Sequence, residues 1–388
     1  MPSIVDLPTE ILLHIANYLG PVDTANLKLT CSALLNIFSD EFYWKHYAQK
    51  YLNETFPPIY PKNSRYCWEW SLCEYMKECS TWSREQNDIR SISLNNIHCA
   101  SIDAVQLSEN SRLCMTGSRD RTLALWDTKS ILKHNLNTPL SLRLNAHTGW
   151  IWDLHEDDGS TLYSASWDKT VKSWDIATNL TNLSTMNCCR TALSVVVTQC
   201  KLVAVGLYNG AMNLFDPATS RLIGSYNFHK KPIYEMATYE NFIFTASQDR
   251  KLGIFDLRSW QAVTYKILRE SLPLSLSVCS ELLYVGDSWG NLHLFDSQTF
   301  KKKATYNLIS VGKKRQITGI RHSVGSIILS STDGYVRIYS LSNPPKLILE
   351  HNVGGEAISL DYKNQIIAVG KANNAFELMT HKRHQFLQ

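Results

Sequence analysis

The spacing of apolar side chains changes character near residue 90. Beyond it they fall two apart in short runs bounded by turn residues, which is the pattern of strands. The clearest run is Ser164 to Asp175, SASWDKTVKSWD: a strand ending in small residues, a tight turn at Trp167-Asp168-Lys169, and a second strand closing on Trp174-Asp175. Such a phrase predicts a β-hairpin. A sister copy runs from Thr116 to Asp127, and weaker copies end at Phe215-Asp216, Phe255-Asp256, Phe295-Asp296, Tyr339-Ser340 and Met379-Thr380. Measured between the closing aromatic or its substitute, from Trp126 to Met379, the seven copies lie 48, 41, 40, 40, 44 and 40 residues apart. Apolar pairs recur ahead of these markers at Leu123 and Leu125, Met212 and Leu214, Leu252 and Ile254, Leu292 and Leu294, Val336 and Ile338, and Phe376 and Leu378. Strands covered on both faces require such pairs. The second copy departs, with Ser173.

Before residue 50 the apolar spacing is helical. Ile11, Leu12, Ile15, Tyr18 and Leu19 make one broad stripe, opened by Leu7-Pro8-x-Glu10 and closed by Gly20-Pro21. Asp23 or Thr24 can cap a second helix carrying Ala25, Leu27 and Leu29, and Ser32 can open a third with Leu34, Leu35 and Ile37, followed by Phe42 and Trp44. Three helices of this size cannot enclose a sufficient core, so a partner is expected to cover part of their apolar surface. Residues 50–63 hold three prolines and read as a connector. Trp68, Leu72, Tyr75, Met76 and Cys79 then share one face of a further helix, expected to pack on the first helices or on the floor of the strand domain.

A hairpin repeated near every 40 residues is similar to the WD-repeat pattern, which implies one four-stranded blade per repeat. In that family a histidine, a Ser or Thr, an Asp and a Trp form a buried structural network within a blade. The resemblance extends this role to His147, Asp168 and Trp174, to His229 and Asp249, and to Asp120 and Asp333. Asn209, Asn373 and Trp289 replace the Asp in blades 3, 7 and 5, which are expected to lack the full network. The last repeat is one strand short, and Ile89 to Leu94 is expected to supply it. Leu7-Pro8-x-Glu10-Ile11-Leu12, Tyr18-Leu19, Asp23, Leu27-x-Leu29 with Cys31, and Phe42-x-Trp44 in turn resemble the F-box over residues 4–48.

Together the two patterns resemble the F-box/WD-repeat family, substrate receptors of SCF-type cullin–RING ubiquitin ligases. The implied architecture is an all-β seven-bladed WD-repeat propeller over 89–388, preceded by a small all-α F-box domain (1–48) and a helical linker (49–88). The resemblance nominates Leu7, Pro8, Ile11, Leu12, Ile15, Leu19 and Leu27 as contacts to the Skp-type adaptor, with Leu29 and Leu34 in the helical core. Two positions per blade are expected on the narrower propeller face. The inner-strand set is Asp103, Trp152, Ser194, Tyr234, Leu274 or Ser275, Thr318 and Ile358; the turn set is Arg119, Trp167, Tyr208, Gln248, Ser288, Thr332 and Ala372. Interface-forming side chains crowd into the first four blades: Arg119, Arg121, Trp150, Trp152, Trp167, Tyr208 and Tyr234. A substrate peptide is expected to dock there. With one arginine among the turn positions, a mainly apolar or singly acidic peptide fits better than a multiply phosphorylated one.

Charge and composition remove alternatives. The net charge of +4 divides into 8 basic against 11 acidic residues up to position 90 and 31 against 24 beyond it, too diffuse for a nucleic-acid stripe. Lys301 to Lys303, Lys313 to Arg315 and His381 to His384 read as solvated loops. No apolar run approaches a membrane span, and the first ten residues carry acids where a secretory signal has bases, so a soluble protein of the cytoplasm and/or nucleus is expected. The ten cysteines show no zinc spacing and are expected to be reduced. No cofactor, metal or catalytic residue is expected, because no phosphate loop, zinc-protease motif or nucleophile elbow occurs. The expected function is that of a non-catalytic substrate receptor working with the adaptor, cullin and RING subunits. The alternative is an F-box scaffold that organises a complex without ubiquitin transfer.

Overall fold

In the computed structural model, residues 4, 7–52, 67–83, 88–279, 281–309 and 316–382 are described. The connector at 50–63 from residue 53 onward, the Lys313–Arg315 run and the tail beyond Lys382 lie outside them. The chain forms two compact units. The first takes in the helices up to residue 84 together with Ser323–Ile327 and Ile338–Leu349.

The helices of the first unit are α1 (Thr9–Ala16), α2 (Pro21–Lys28), α3 (Ser32–Phe38), α4 (Glu41–Leu52) and α5 (Trp68–Trp82). Pro21 begins α2, with Gly20 as its cap, so Asp23 sits inside the first turn and is not the cap. The core is small: Leu12, Ala16, Leu34 and Phe38, with Leu13, Leu27, Ile37 and Tyr43 against it. Trp44 joins it from α4, a helix the apolar spacing did not reveal, and its indole donates to the Phe38 carbonyl at 2.8 Å. Leu29, expected in this core, is instead 78% exposed. Helix α5 packs on α2 and α4, tied by a Lys28–Glu69 ion pair of 2.7 Å. Its buried Glu78 accepts from the Gly325 amide at 2.8 Å and the Ser326 hydroxyl at 2.9 Å, so this carboxylate is fully engaged. A Cβ on Gly325 would meet the Tyr75 backbone at 3.0 Å, which is how closely the helix lies on this segment.

Residues from Ile89 onward build seven four-stranded antiparallel sheets, the blades of a propeller. Apolar clusters fill the spaces between blades: Met115, Leu125, Leu154 and Trp174 between blades 1 and 2, and Phe244, Ile254, Leu276 and Val285 between blades 4 and 5. Blade 7 takes Ile89–Leu94 as its outer strand, paired antiparallel with Phe376–His381 from Ile89↔His381 to Leu94↔Phe376. The long first spacing has a local cause. Helix α6 (Thr128–His134) is inserted in blade 1, its N-terminus capped by Asp127 of the Trp-Asp pair and its end marked by Asn135 at φ 53°. In every blade the residue after the turn Asp or its substitute is left-handed: Arg121, Lys169, Gly210, Arg250, Gly290, Gly334 and Asn374.

Blades 1, 2, 4, 5, 6 and 7 each seal a polar seam; in blade 3 the corresponding Asn213 reaches the Cys188 carbonyl at 3.4 Å. In blade 2, His147 Nδ1 lies 2.8 Å from Asp168, its Nε2 lies 2.7 Å from Ser164 Oγ, and Trp174 donates to the same hydroxyl at 2.8 Å. Burial opposes the charged carboxylate, but donors from His147, Thr170 and Thr148 hold Asp168 well below the usual range. Blade 1 repeats the seam with His98, Thr116, Asp120 and Trp126, and blade 4 with His229, Thr245 and Asp249. His98 was not anticipated because it stands 22 residues before its Asp rather than 20 or 21. At Asp333 it is Arg337 that engages the acid, Nη2 at 2.7 Å, with Arg337 Nε on Glu350 at 2.6 Å. Blade 5 shifts the acid to Asp287, 2.9 Å from His293 Nε2. Blade 7 pairs buried Lys371 with Glu377, which also faces His351 at 3.0 Å.

Two stability tests follow from this packing. Deleting Ile89–Leu94 opens the edge of blade 7 and strips Ile92 and Leu94 from its apolar cluster; thermal unfolding should drop by about 10 °C or more. An unchanged midpoint rejects the seal. At Gly253 a Cβ would run into the Phe228 ring first and would also stand 2.6 Å from Thr245 Oγ1 and 2.8 Å from His229 Nε2. Gly253→Ala should therefore cost about 1–3 kcal/mol in urea titration, with less cost in a Phe228→Ala background.

Candidate binding site at the channel mouth

The inner strands carry a local irregularity that aims the site. The pairing register slips between Ile102 and Ala104, Ile151 and Asp153, Ala192 and Ser194, Ile233 and Glu235, Pro273 and Ser275, and Ala357 and Ser359. The skipped residue is a bulge, which turns one side chain out of the alternation. Those residues, Asp103, Trp152, Leu193, Tyr234, Leu274 and Ile358, line a cavity of about 330 Å³ together with Thr318. The bulge corrects one expected position. Leu193 faces the cavity, while Ser194 is buried with its hydroxyl toward the Ile233 carbonyl. Likewise Leu274 lines the wall, whereas the Ser275 hydroxyl donates to the Ile317 carbonyl at 3.2 Å.

The aromatic side chains meet in a continuous chain. Trp167 lies 5.1 Å from Trp150, 5.9 Å from Trp152 and 5.9 Å from Tyr208, measured between ring centroids. Arg119 extends it, its guanidinium 5.3 Å from the Trp150 ring and 5.4 Å from the Trp152 ring. The same guanidinium grips Asp103 in a fork, Nε at 2.7 Å and Nη2 at 3.0 Å. Burial raises the Asp103 pKa, and Arg119 works against that rise. Arg121 is exposed at the next turn position and stands outside this chain of contacts.

Below the mouth lie charges that the repeat pattern does not disclose. Asp153, Glu235 and Arg321 line the cavity, and Arg321 Nε binds Asp361 at 2.9 Å while its Nη1 stands 3.6 Å from Glu235. The Asp153 carboxylate accepts from the Leu154 and Val195 amides, each at 2.8 Å. Both acids are partly open to the channel yet deep within the ring. Burial raises Asp153 to about 7 and Glu235 to about 8, with Arg321 lowering both and their mutual repulsion adding to Glu235. On the strand of Asp153, burial followed by repulsion from Lys363 and Arg321 pushes His155 down to about 4. Among the described residues no group of three or more His, Cys, Asp or Glu is arranged to hold a metal ion.

Residues 4–50 match the F-box-like family, and residues 89–127 and 138–175 match the WD domain, G-beta repeat. Over 356 residues the chain is 29% identical to F-box/WD repeat-containing protein 9 of Homo sapiens, covering 89% of this chain and 76% of that one. Over 403 residues it is 26% identical to F-box/WD repeat-containing protein mec-15 of Caenorhabditis elegans, covering 96% and 95%. The chain is homologous to the F-box/WD-repeat proteins. The crystal structure of RRP9 WD40 repeats superposes with a TM-score of 0.68 at 12% identity, over 76% of this chain and 98% of that one, a likeness of fold.

In this chain the seven helical positions nominated for the adaptor divide. Leu7, Pro8 and Ile11 are exposed, Ile15, Leu19 and Leu27 are half-buried, and Leu12 points into the core. Tyr18 and Phe42, also part of the F-box pattern, are 79% and 80% exposed. On the propeller, Arg119, Trp150, Trp152, Trp167 and Tyr208 meet directly, and Tyr234 lines the cavity. No helix among the described residues is long and apolar enough to cross a membrane.

The floor predicts a pH signature. Glu235 has a folded pKa near 8 against an ordinary value of 4.5, so its protonated form favours folding and that contribution is lost as pH rises toward 8. Glu235→Gln mimics the protonated acid. Its urea midpoint relative to wild type should climb from about pH 5 to pH 8 and then level off. A difference independent of pH rejects the buried, proton-holding carboxyl.

Proposed function

We propose that the chain is a non-catalytic substrate receptor of an SCF-type cullin–RING ubiquitin ligase. The observation that carries this reading is the joining, in one chain, of an F-box with exposed apolar side chains and a propeller with an aromatic cluster at its channel mouth. Leu7 and Ile11 are 39% and 46% exposed on a helical unit whose core is only a few side chains deep. Such surface suits an adaptor of Skp type. The adaptor in turn brings the cullin, the RING subunit and the ubiquitin-charged conjugating enzyme. The channel mouth holds the substrate, with Trp150, Trp152, Trp167, Tyr208, Tyr234 and Arg119 as contacts. Acceleration comes from proximity, since the propeller has only to keep a substrate lysine near the charged enzyme.

The test is reconstitution with Skp-type adaptor, cullin and RING subunits. Wild type should co-purify with all three and support ubiquitin transfer to a bound protein, while a Leu7→Asp/Ile11→Asp variant with an unchanged propeller should lose the adaptor. Adaptor binding without any transfer would favour the scaffold instead. Absence of adaptor binding by the wild-type chain at micromolar concentration removes the ligase reading.

A further inference from the structure

The chemistry of the channel mouth favours one class of ligand, an inference that rests on the substrate-receptor reading above. Arg119 looks like an anion receptor in the sequence, but in the fold its fork is occupied. Asp103 holds Nε and Nη2, and the guanidinium lies within 5.4 Å of the centroids of both Trp150 and Trp152. A phosphate or carboxylate would have to displace a buried aspartate to use it. The floor is unbalanced in the opposite sense. Asp103, Asp153 and Glu235 line the cavity against Arg119 and Arg321, and Arg321 is also engaged by Asp361. Once Arg119 pairs with Asp103 and Arg321 with Asp361, Asp153 and Glu235 remain without a full counter-charge. Burial with too little compensation is what raises both carboxyl groups.

The walls suit a cation as well. Trp152 and Tyr234 flank the way in, with Leu193, Leu274 and Ile358 completing an apolar collar. Aromatic faces and aliphatic wall receive a methylene stem, while the charged end reaches the acids below. At about 330 Å³ the cavity is at the small end of ligand sites, a size for one side chain rather than a folded element.

We propose that the channel mouth takes up a lysine or arginine side chain of the bound peptide, its stem against Trp152 and Tyr234 and its cationic end at Asp153 and Glu235. The recognised segment is thus basic and extended, not phosphorylated, and the tryptophans around Trp167 cover the residues beside it.

Five peptides test this on the full chain: acetyl-Ala-Ala-X-Ala-Ala-amide with X as arginine, lysine, citrulline, norleucine or glutamate. Affinity is read from intrinsic tryptophan fluorescence and from saturation-transfer NMR. Arginine and lysine peptides should bind at least about ten-fold more tightly than citrulline or norleucine, with glutamate weakest, as expected for a charge-assisted contact. Measured at about pH 9, where both carboxyl groups are ionised, Glu235→Gln and Asp153→Asn should each remove that advantage, provided circular dichroism shows an intact propeller. Asp103→Asn frees the Arg119 fork and should raise glutamate binding, a gain that misfolding cannot imitate. Equal binding of citrulline, preference for glutamate by the wild type, or no binding of any peptide at millimolar concentration overturns the proposal. Adaptor capture and ubiquitin transfer alongside a glutamate preference would sink this inference and leave the receptor reading standing. Arginine preference in a chain that ignores the adaptor would do the reverse.

Discussion

Every blade of this propeller is covered on both faces by its neighbours, so a polar group on a middle strand is best served by a partner inside the same blade. Nearly everything else in the ring follows from that constraint. The position two residues before each closing marker shows how it is met. Where a histidine enters the seam, as in blades 1, 2 and 4, that position holds Ala124, Lys172 or Gly253. In blades 5, 6 and 7 it holds His293, Arg337 or Glu377, each bound to an oppositely charged or hydrogen-bonding partner in the seam. In these six blades the chemistry of the seam is kept while the residue that fills it moves from one strand to another. Buried polar groups left unpaired are costly enough to enforce this.

How much of this could be read from the chain depends on the range of the interaction. Strand alternation and the closing markers are local, and they disclosed seven blades. The polar seams of blades 5 and 7 do not use an Asp at the fixed turn position, because the fold puts Asp287 and Lys371 to work elsewhere, while in blade 6 Arg337 stands on Asp333 where other blades have a histidine. Aligning the repeats puts Ser194 on the channel wall, one residue away from Leu193, where the bulge of this strand falls. The acids on the floor looked like ordinary alternating polar residues. Only closure of the ring brings Asp153, Glu235, Arg321 and Asp361, from four different blades, around one axis. In the helical unit, Tyr43, Trp44 and Tyr47 form a ring cluster that makes α4 part of the core, though the aromatic run carried no clear helical stripe.

The channel mouth illustrates why residue type alone misleads about partners. An arginine among tryptophans suggests an acidic ligand, yet its charge is already matched by Asp103. What remains on offer is a flat aromatic surface above an acidic well. The same logic applies to the F-box helices, where Leu12 and Leu34 serve the interior and Leu7, Ile11 and Phe42 face outward. Neighbouring positions in one apolar stripe do opposite jobs, and burial decides which.

The seam that completes blade 7 joins residues very far apart in the chain: the Ser91 hydroxyl meets Glu377 across 286 positions. On the ribosome the first of these strands emerges long before its mate exists, and during that interval it has no edge to dock on. The F-box helices are local and can fold early, so nascent chains pass through a stage with a finished helical module and an unlatched ring. A ribosome that stalls in the last blade would release a polypeptide in just that condition, equipped with its F-box and exposing raw sheet edges to the quality-control machinery of the cell.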